Sequence, residues 1–241
     1  NGLIYSDEKF ERDLENAGYK FEKTKTGYYV SMNPLLKKLF IEGRITYQSL
    51  TSTYAALALD VKDGQNVLDV CSAPGGKAIF VAEKNPTANV VACDIHPHRV
   101  ELIGAYARRM HVKNVTPTLF DGAAFNKEWA GYFDRVLCDV PCSAMGVVKK
   151  QPDVLLNRNE NDIAALKKVQ YSILDNAKNY VKSGGLLVYS TCTIFKEEND
   201  DNVEEFLKNN NDFEKYPSEF DGQYLPCDTH DGFFIRRLRR K

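Results

Sequence analysis

The chain has 241 residues, 43% of them hydrophobic, and a net charge of −1. That length suits one large domain or one domain with a small appendage, and no apolar run reaches the roughly 20 residues of a membrane span. A near-neutral chain exerts no global pull on nucleic acid, and six cysteines without a CxxC pair argue against a disulfide scaffold and for a reducing cytoplasm.

The amino terminus, NGLIYSDEKF, has no charged-then-apolar leader and no initiator Met, so it reads as a fragment or a processed chain. Residues 7–17 carry Phe10, Leu14 and Ala17 at helical spacing, and Gly18 stops the run. YKFEK and GYYVSM around Lys25-Thr26-Gly27 predict a hairpin, and Pro34 to Phe40 a further short helix. Residues 1–43 are therefore expected to form a small α+β appendage, a candidate RNA-contacting unit, with the main domain over 44–241.

From residue 66 strands and helices alternate. NVLDV is followed by the Gly-rich CSAPGGK and a helical AIFVAEK. NVVACD is followed by a helix opening at Pro97, with Val100, Ile103, Ala107 and Met110 on one face. VTPTLF and DRVLCD read as further strands. A helix is expected from about Asn161 to Val181, ended by Ser183-Gly184-Gly185. Strand LLVYS, a helix bearing Val203, Phe206 and Leu207, and FFIRRL complete the pattern. Such alternation predicts an α/β fold, a mainly parallel sheet with helices on both faces. Ligands of these sheets bind beyond the carboxyl ends of the strands.

Those ends carry the polar chemistry. Cys71-Ser72-Ala73-Pro74-Gly75-Gly76-Lys77 follows the first strand of this run, where two glycines let backbone approach a ligand at a helix N-terminus. The spacing is neither GxGxxG nor a P-loop. Asp94, Asp121 and Asp139 end three other strands and suit an adenosine: ribose on Asp94, the adenine amino group near Asp121, the charged end near Asp139. Each aspartate alone could be only a cap or turn residue. Beyond the DRVLCD and LLVYS strands come Pro141-Cys142-Ser143 and Thr191-Cys192-Thr193. These two strands should be neighbours, so both thiols would overhang one crevice, whereas Cys93 and Cys138 sit within strands as core residues. The four histidines do not cluster with cysteines at zinc spacing, and no metal site is expected. Lys149-Lys150, Arg108-Arg109 and RRLRRK are local basic clusters that read equally as solvated faces.

Together LDVCSAPGGK, VACDIHPHRVELI, FDG, DRVLCDVPCSAMGVVKKQPD and GGLLVYSTCTIFKEEND resemble the RNA cytosine-5 methyltransferases that use S-adenosylmethionine, from about Gly43 to the end. Among these the chain is most similar to enzymes of bacterial small-subunit ribosomal RNA. The resemblance implies a Rossmann-like class I methyltransferase with a seven-stranded sheet. It implies S-adenosylmethionine held by Cys71 through Lys77, Asp94, Asp121 and Asp139. Cys192 would attack carbon 6 of the base and Cys142 assist release, with Asp139 on the cytosine edge. Ribosomal RNA, single-stranded or looped so that the base can leave its stack, would be the substrate of a monomer, and Lys149 and Lys150 would gain a role on phosphates. The chain departs from the family at Val140, where Ala is usual, at Ala78, where Thr is frequent, and at Gln48-Ser49, where the family has Gln-Asp.

An attacking thiol needs help to ionise at neutral pH. A helix expected to begin near Lys196 would offer its N-terminus to Cys192, Glu197 and Glu198 would oppose by charge, and Lys77 is an available cation. Three rival readings stay open: a DNA cytosine methyltransferase attacking with Cys142, a catalytically idle RNA-binding or ribosome-assembly protein, and a small-molecule methyltransferase, for which paired cysteines are unnecessary.

Overall fold

The computed structural model describes residues 1–156 and 160–241. Local capping starts the first helices. The Ser6 hydroxyl accepts from the Lys9 N–H at 3.3 Å to open α1 (Asp7–Asn16), and Asp7 and Glu8 complement the dipole of its first turn. The hairpin β1 (Phe21–Lys23) and β2 (Tyr28–Val30) follows, in the register Phe21↔Val30. Asn33 Oδ1 accepts from the Leu36 N–H at 2.9 Å to open α2 (Pro34–Ile41), with Pro34 in its first turn. Tyr5, Phe10, Leu14, Leu36 and Leu39 bury one another in a small core of their own.

This unit is seated on the rest of the molecule. The Arg109 guanidinium donates to the Phe40 carbonyl at 2.7 Å. Gly43, at φ +68°, passes so close that an added Cβ would stand 1.6 Å from the Arg109 carbonyl oxygen. Only glycine permits both that conformation and that approach.

Beyond it come α3 (Leu50–Ala58), β3 (Asn66–Asp69), α4 (Gly76–Lys84), β4 (Asn89–Asp94), α5 (Pro97–Arg109), β5 (Val115–Leu119) and β6 (Phe133–Asp139). The chain continues through α6 (Glu160–Ala177), β7 (Val181–Thr191), α7 (Asp200–Asn209), β8 (Phe213–Lys215), β9 (Gly222–Tyr224) and β10 (Phe233–Arg240). The sheet order is β5-β4-β3-β6-β7-β10-β8. The first five of these run parallel, and β10 is antiparallel to β7 and β8. This is the expected seven-stranded path, and the short β9 pairs with β10 as an eighth strand off it. One core lies on each face. Leu137, Val188 and Ile235 point to the side of α3, α4 and α5, whereas Val136, Leu187 and Phe234 point to the side of α6 and α7. The period-two alternation along β6, β7 and β10 decides which residue goes to which side.

Two boundaries differ from the sequence reading. The long helix ends at Ala177, before Ser183-Gly184-Gly185, and those residues form a bulge inside β7. Gly184 takes φ +75°, and the β6–β7 register slips between Phe133 and Arg135. The glycines punctuate a strand here, which sequence spacing does not distinguish from a helix stop.

Candidate active site

The parallel pairing of β6 with β7 sets the geometry of the site. Asp139, at the end of β6, faces Ser190 across the ladder. Its Oδ1 accepts from the Ser190 hydroxyl at 2.7 Å, and its Oδ2 accepts from the Lys77 ammonium at 2.5 Å. Cys142 lies three residues past β6 and Cys192 directly after β7, with their Sγ atoms 3.2 Å apart. Both thiols are free. The loop carrying Cys142 is pinned to the one carrying Cys192 by the Gly146 N–H, which donates to the Cys192 carbonyl at 2.9 Å. Ala144 there takes φ +62°, a conformation that costs a non-glycine residue about 1 kcal/mol and is held by these contacts.

The two thiols are not equivalent. Hydrogen bonding to Cys192, with burial, pushes the Cys142 thiol well up, and the nearby Glu198 carboxylate adds to this. Cys192 moves down. The hydrogen bond from Cys142 is the main cause, Lys77 assists, and burial and Asp139 oppose. Burial also works against charge on Lys77, yet Asp139 holds its ammonium above the ordinary lysine value. These influences favour the proton on Cys142 and make Cys192 the sulfur inclined to be thiolate. The sequence predicts a helix N-terminus for this help. Instead, Lys196–Glu198 is a single 3-10 turn with α7 beginning only at Asp200, and the stabilisation comes from Cys142 and Lys77.

The Gly-rich segment runs from Cys71 to Lys77, beyond the end of β3. Gly75 at φ +108° turns the chain into α4, whose N-terminus has no side-chain cap. Asp94 ends β4 almost fully buried. Its Oδ1 accepts from the His96 N–H at 3.0 Å, and its Oδ2 pairs with Arg99 at 3.0 Å. Arg99 in turn donates to the Ala73 carbonyl at 3.0 Å, which ties the Asp94 turn to the Gly-rich loop. Asp69, the last residue of β3, is a further acidic group here. Both its oxygens, like Ser72 Oγ and Gln48 Oε1, are buried without a hydrogen-bond partner among the described residues. Burial pushes its carboxyl up to about 7, with Asp139 adding to this and Lys77 opposing. A buried carboxylate, a hydroxyl and an amide oxygen left without partners beside a helix N-terminus fit a cationic, hydroxyl-rich ligand such as S-adenosylmethionine.

Two sets of sequence-derived candidates are engaged in contacts of their own. Asp121 is exposed beyond the end of β5, and its Oδ1 accepts from the Ala123 N–H at 2.9 Å, closing its own turn. Lys149 and Lys150 are engaged within the molecule, by Asp228 at 2.6 Å and Asp231 at 2.7 Å. Asp69 does not stand out in the sequence, because it lies inside a strand run where an aspartate carries no distinguishing spacing. Its place at the end of β3, two residues before Cys71, is the available signal.

Comparison with known proteins gives a consistent account. The family model described as 16S rRNA methyltransferase RsmB/F matches residues 56–239. A ribosomal RNA small subunit methyltransferase B from Salmonella paratyphi B is 38% identical over 209 residues, covering 84% of this chain and 48% of that protein. The chain thus spans about half the length of the curated relatives it matches. A methyltransferase homologue from Pyrococcus horikoshii superposes with a TM-score of 0.83 at 25% identity, covering 98% of this chain and 83% of the other. NSun6 from the same organism, solved with SFG, gives 0.75 at 26% identity, over 89% of this chain and 59% of its own.

Proposed function

The chain belongs to the 16S rRNA methyltransferase RsmB/F family, and from that premise we propose that it methylates carbon 5 of a cytosine in small-subunit ribosomal RNA through a covalent bond between Cys192 and the base. The observation that carries this reading is the asymmetry of the thiol pair. Two free thiols stand 3.2 Å apart, and the hydrogen bond between them lowers Cys192 and raises Cys142, with Lys77 assisting and Asp139 opposing charge on Cys192.

The chemistry assigns each residue a task. Carbon 5 of cytosine is a weak nucleophile, and a thiolate adding to carbon 6 turns the ring into an enamine that is reactive at carbon 5. Cys192 is that thiolate. Asp139 hydrogen-bonds the cytosine edge and stabilises a proton on ring nitrogen 3, which makes carbon 6 more electrophilic. After transfer the carbon-5 proton passes to a water base, the C5–C6 double bond re-forms as the carbon–sulfur bond breaks, and the Cys142 thiol, still protonated, gives its proton to the departing Cys192. Bound S-adenosylmethionine supplies the electrophilic methyl group. Cys71 to Lys77, Asp94, Asp69 and, toward the adenine, Asp121 would hold it.

The target base has to leave its stack, so a single-stranded or looped segment in the cytoplasm is the substrate, and the chain acts as a monomer. The unit over 1–43 contributes to RNA contact as a separate domain from 44–241. Lys149 and Lys150 contact phosphate by exchanging Asp228 and Asp231 for the backbone of the RNA. The test is incubation of the protein with unmodified 16S ribosomal RNA and labelled cofactor, followed by nucleoside mass spectrometry. Label in 5-methylcytosine supports the reading; label in any other nucleoside, or none, overturns it.

A further inference from the structure

Behind the thiol pair lies a buried polar network that takes no direct part in the chemistry. Glu198 is 0% exposed. Its Oε1 accepts from the Ser143 N–H at 2.9 Å and from Gln170 Nε2 at 2.8 Å, and its Oε2 accepts from the Ser143 hydroxyl. A hydroxyl has one proton to give. Because Ser143 spends it on Glu198, the 2.8 Å contact between Ser143 Oγ and Thr193 Oγ1 runs from Thr193 to Ser143. Ser143 follows Cys142 in the chain, and Thr193 follows Cys192. One carboxylate therefore terminates a chain of hydrogen bonds that spans both cysteine loops.

The next residue braces the same loop from the other side. Asn199, also 0% exposed, accepts from the Thr191 hydroxyl at 2.6 Å and donates to the Thr193 carbonyl at 3.1 Å, gripping both neighbours of Cys192. A buried carboxylate is tolerated only when donors converge on it, and a fully satisfied buried network holds its members in one arrangement.

We propose that Glu198 is a positioning residue for the thiol pair: through Ser143 and Thr193 it fixes the spacing at which the Cys142 thiol donates to Cys192. This rests on the reading of the pair as the reaction centre, but its test needs no RNA. The charged groups facing the pair are Lys77 from α4, Asp139 from β6 and Glu198 from the turn before α7. Removing Glu198 deletes a negative charge, which alone would ease ionisation of both thiols. Losing the Cys142 donor works in the opposite direction on Cys192. The sign of the shift therefore separates positioning from simple electrostatics.

The experiment is the pH dependence of Cys192 alkylation by iodoacetamide in the cofactor-free protein, followed at the Cys192 peptide by mass spectrometry. Circular dichroism and thermal melting confirm the fold of each variant. Glu198→Ala is expected to move the Cys192 titration upward by about 1 pH unit, the equivalent of one lost hydrogen bond to a charged group. Glu198→Gln is expected to return it to or below the wild-type value, because the amide can accept from Gln170 and donate to Ser143. Ser143→Ala, which deletes one oxygen, should reproduce the upward shift and decides alone if Glu198→Ala does not fold. An unshifted or downward titration in the folded variant overturns the proposal. Failure of the cytosine reading would appear elsewhere, as absence of methylated RNA with the upward shift intact.

Discussion

The Sγ atoms of Cys142 and Cys192 stand 3.2 Å apart although 50 residues of chain separate them. Their proximity follows from pairing: β6 and β7 are parallel neighbours with Asp139 opposite Ser190, and each cysteine lies just beyond its strand. At that distance one thiol can hold the proton that the other gives up. The hydrogen bond between them sets most of that difference, with Lys77 assisting charge on Cys192 and Glu198 disfavouring it on Cys142.

Asp139 joins the sheet to this chemistry, since it holds both Lys77 and the Ser190 hydroxyl. Asp139→Asn keeps the shape but cannot stabilise a proton on the base or balance the Lys77 ammonium. Single-turnover methylation is expected to slow about 10²- to 10⁴-fold, the range for loss of a proton-handling group. Cofactor affinity should change far less.

Lys77 should matter even before RNA arrives. Lys77→Met removes the cation that favours thiolate at Cys192, and the pH profile of Cys192 alkylation is expected to move up by about 1 unit. An unmoved profile would mean that Cys142 alone sets the ionisation of Cys192.

Asp69 gives a pH dependence whose sign can be worked out. Its folded-state pKa is raised from 3.8 to about 7. In the cofactor-free protein this group's stabilising effect is full below about pH 4 and is lost as pH rises through 7. Cofactor binding should run the other way, because a cationic ligand needs the ionised carboxylate. Between pH 6 and 8 the dissociation constant should fall about tenfold as the competent fraction rises. Calorimetry with Asp69→Asn should remove that dependence.

The seam between the amino-terminal unit and α5 offers a test of stability. Gly43 and Gly18 both take positive φ, +68° and +75°, but only Gly43 has backbone within reach of an added Cβ. Gly18→Ala should cost about 1 kcal/mol, the left-handed penalty alone. Gly43→Ala should exceed about 3 kcal/mol, because it must also displace the carbonyl of Arg109. Thermal unfolding of the two variants checks the difference.

Much of this was legible in the sequence because strand ends announce themselves. LLVYS and RVLCD are apolar runs stopped by polar residues, and alternation predicts that they are neighbours, so Cys142 and Cys192 could be brought together on paper. The short β8 and β9, three residues each, carry too little period to detect. Gly184-Gly185 shows why glycine is ambiguous, since a helix stop and a strand bulge demand the same freedom. Glu198 was visible only as a charge in KEEN. Its role depends on burial against Ser143 and Gln170, contacts made across 55 and 28 residues of chain, which no local pattern encodes.

The division of labour between the thiols is the central claim, and covalent trapping tests it most directly. RNA carrying 5-azacytosine at the target position arrests the enzyme–base adduct, which gel electrophoresis then resolves. The account predicts that Cys192→Ser abolishes the trapped complex and that Cys142→Ser retains it. Loss of the complex in Cys142→Ser with retention in Cys192→Ser would contradict it and make Cys142 the nucleophile.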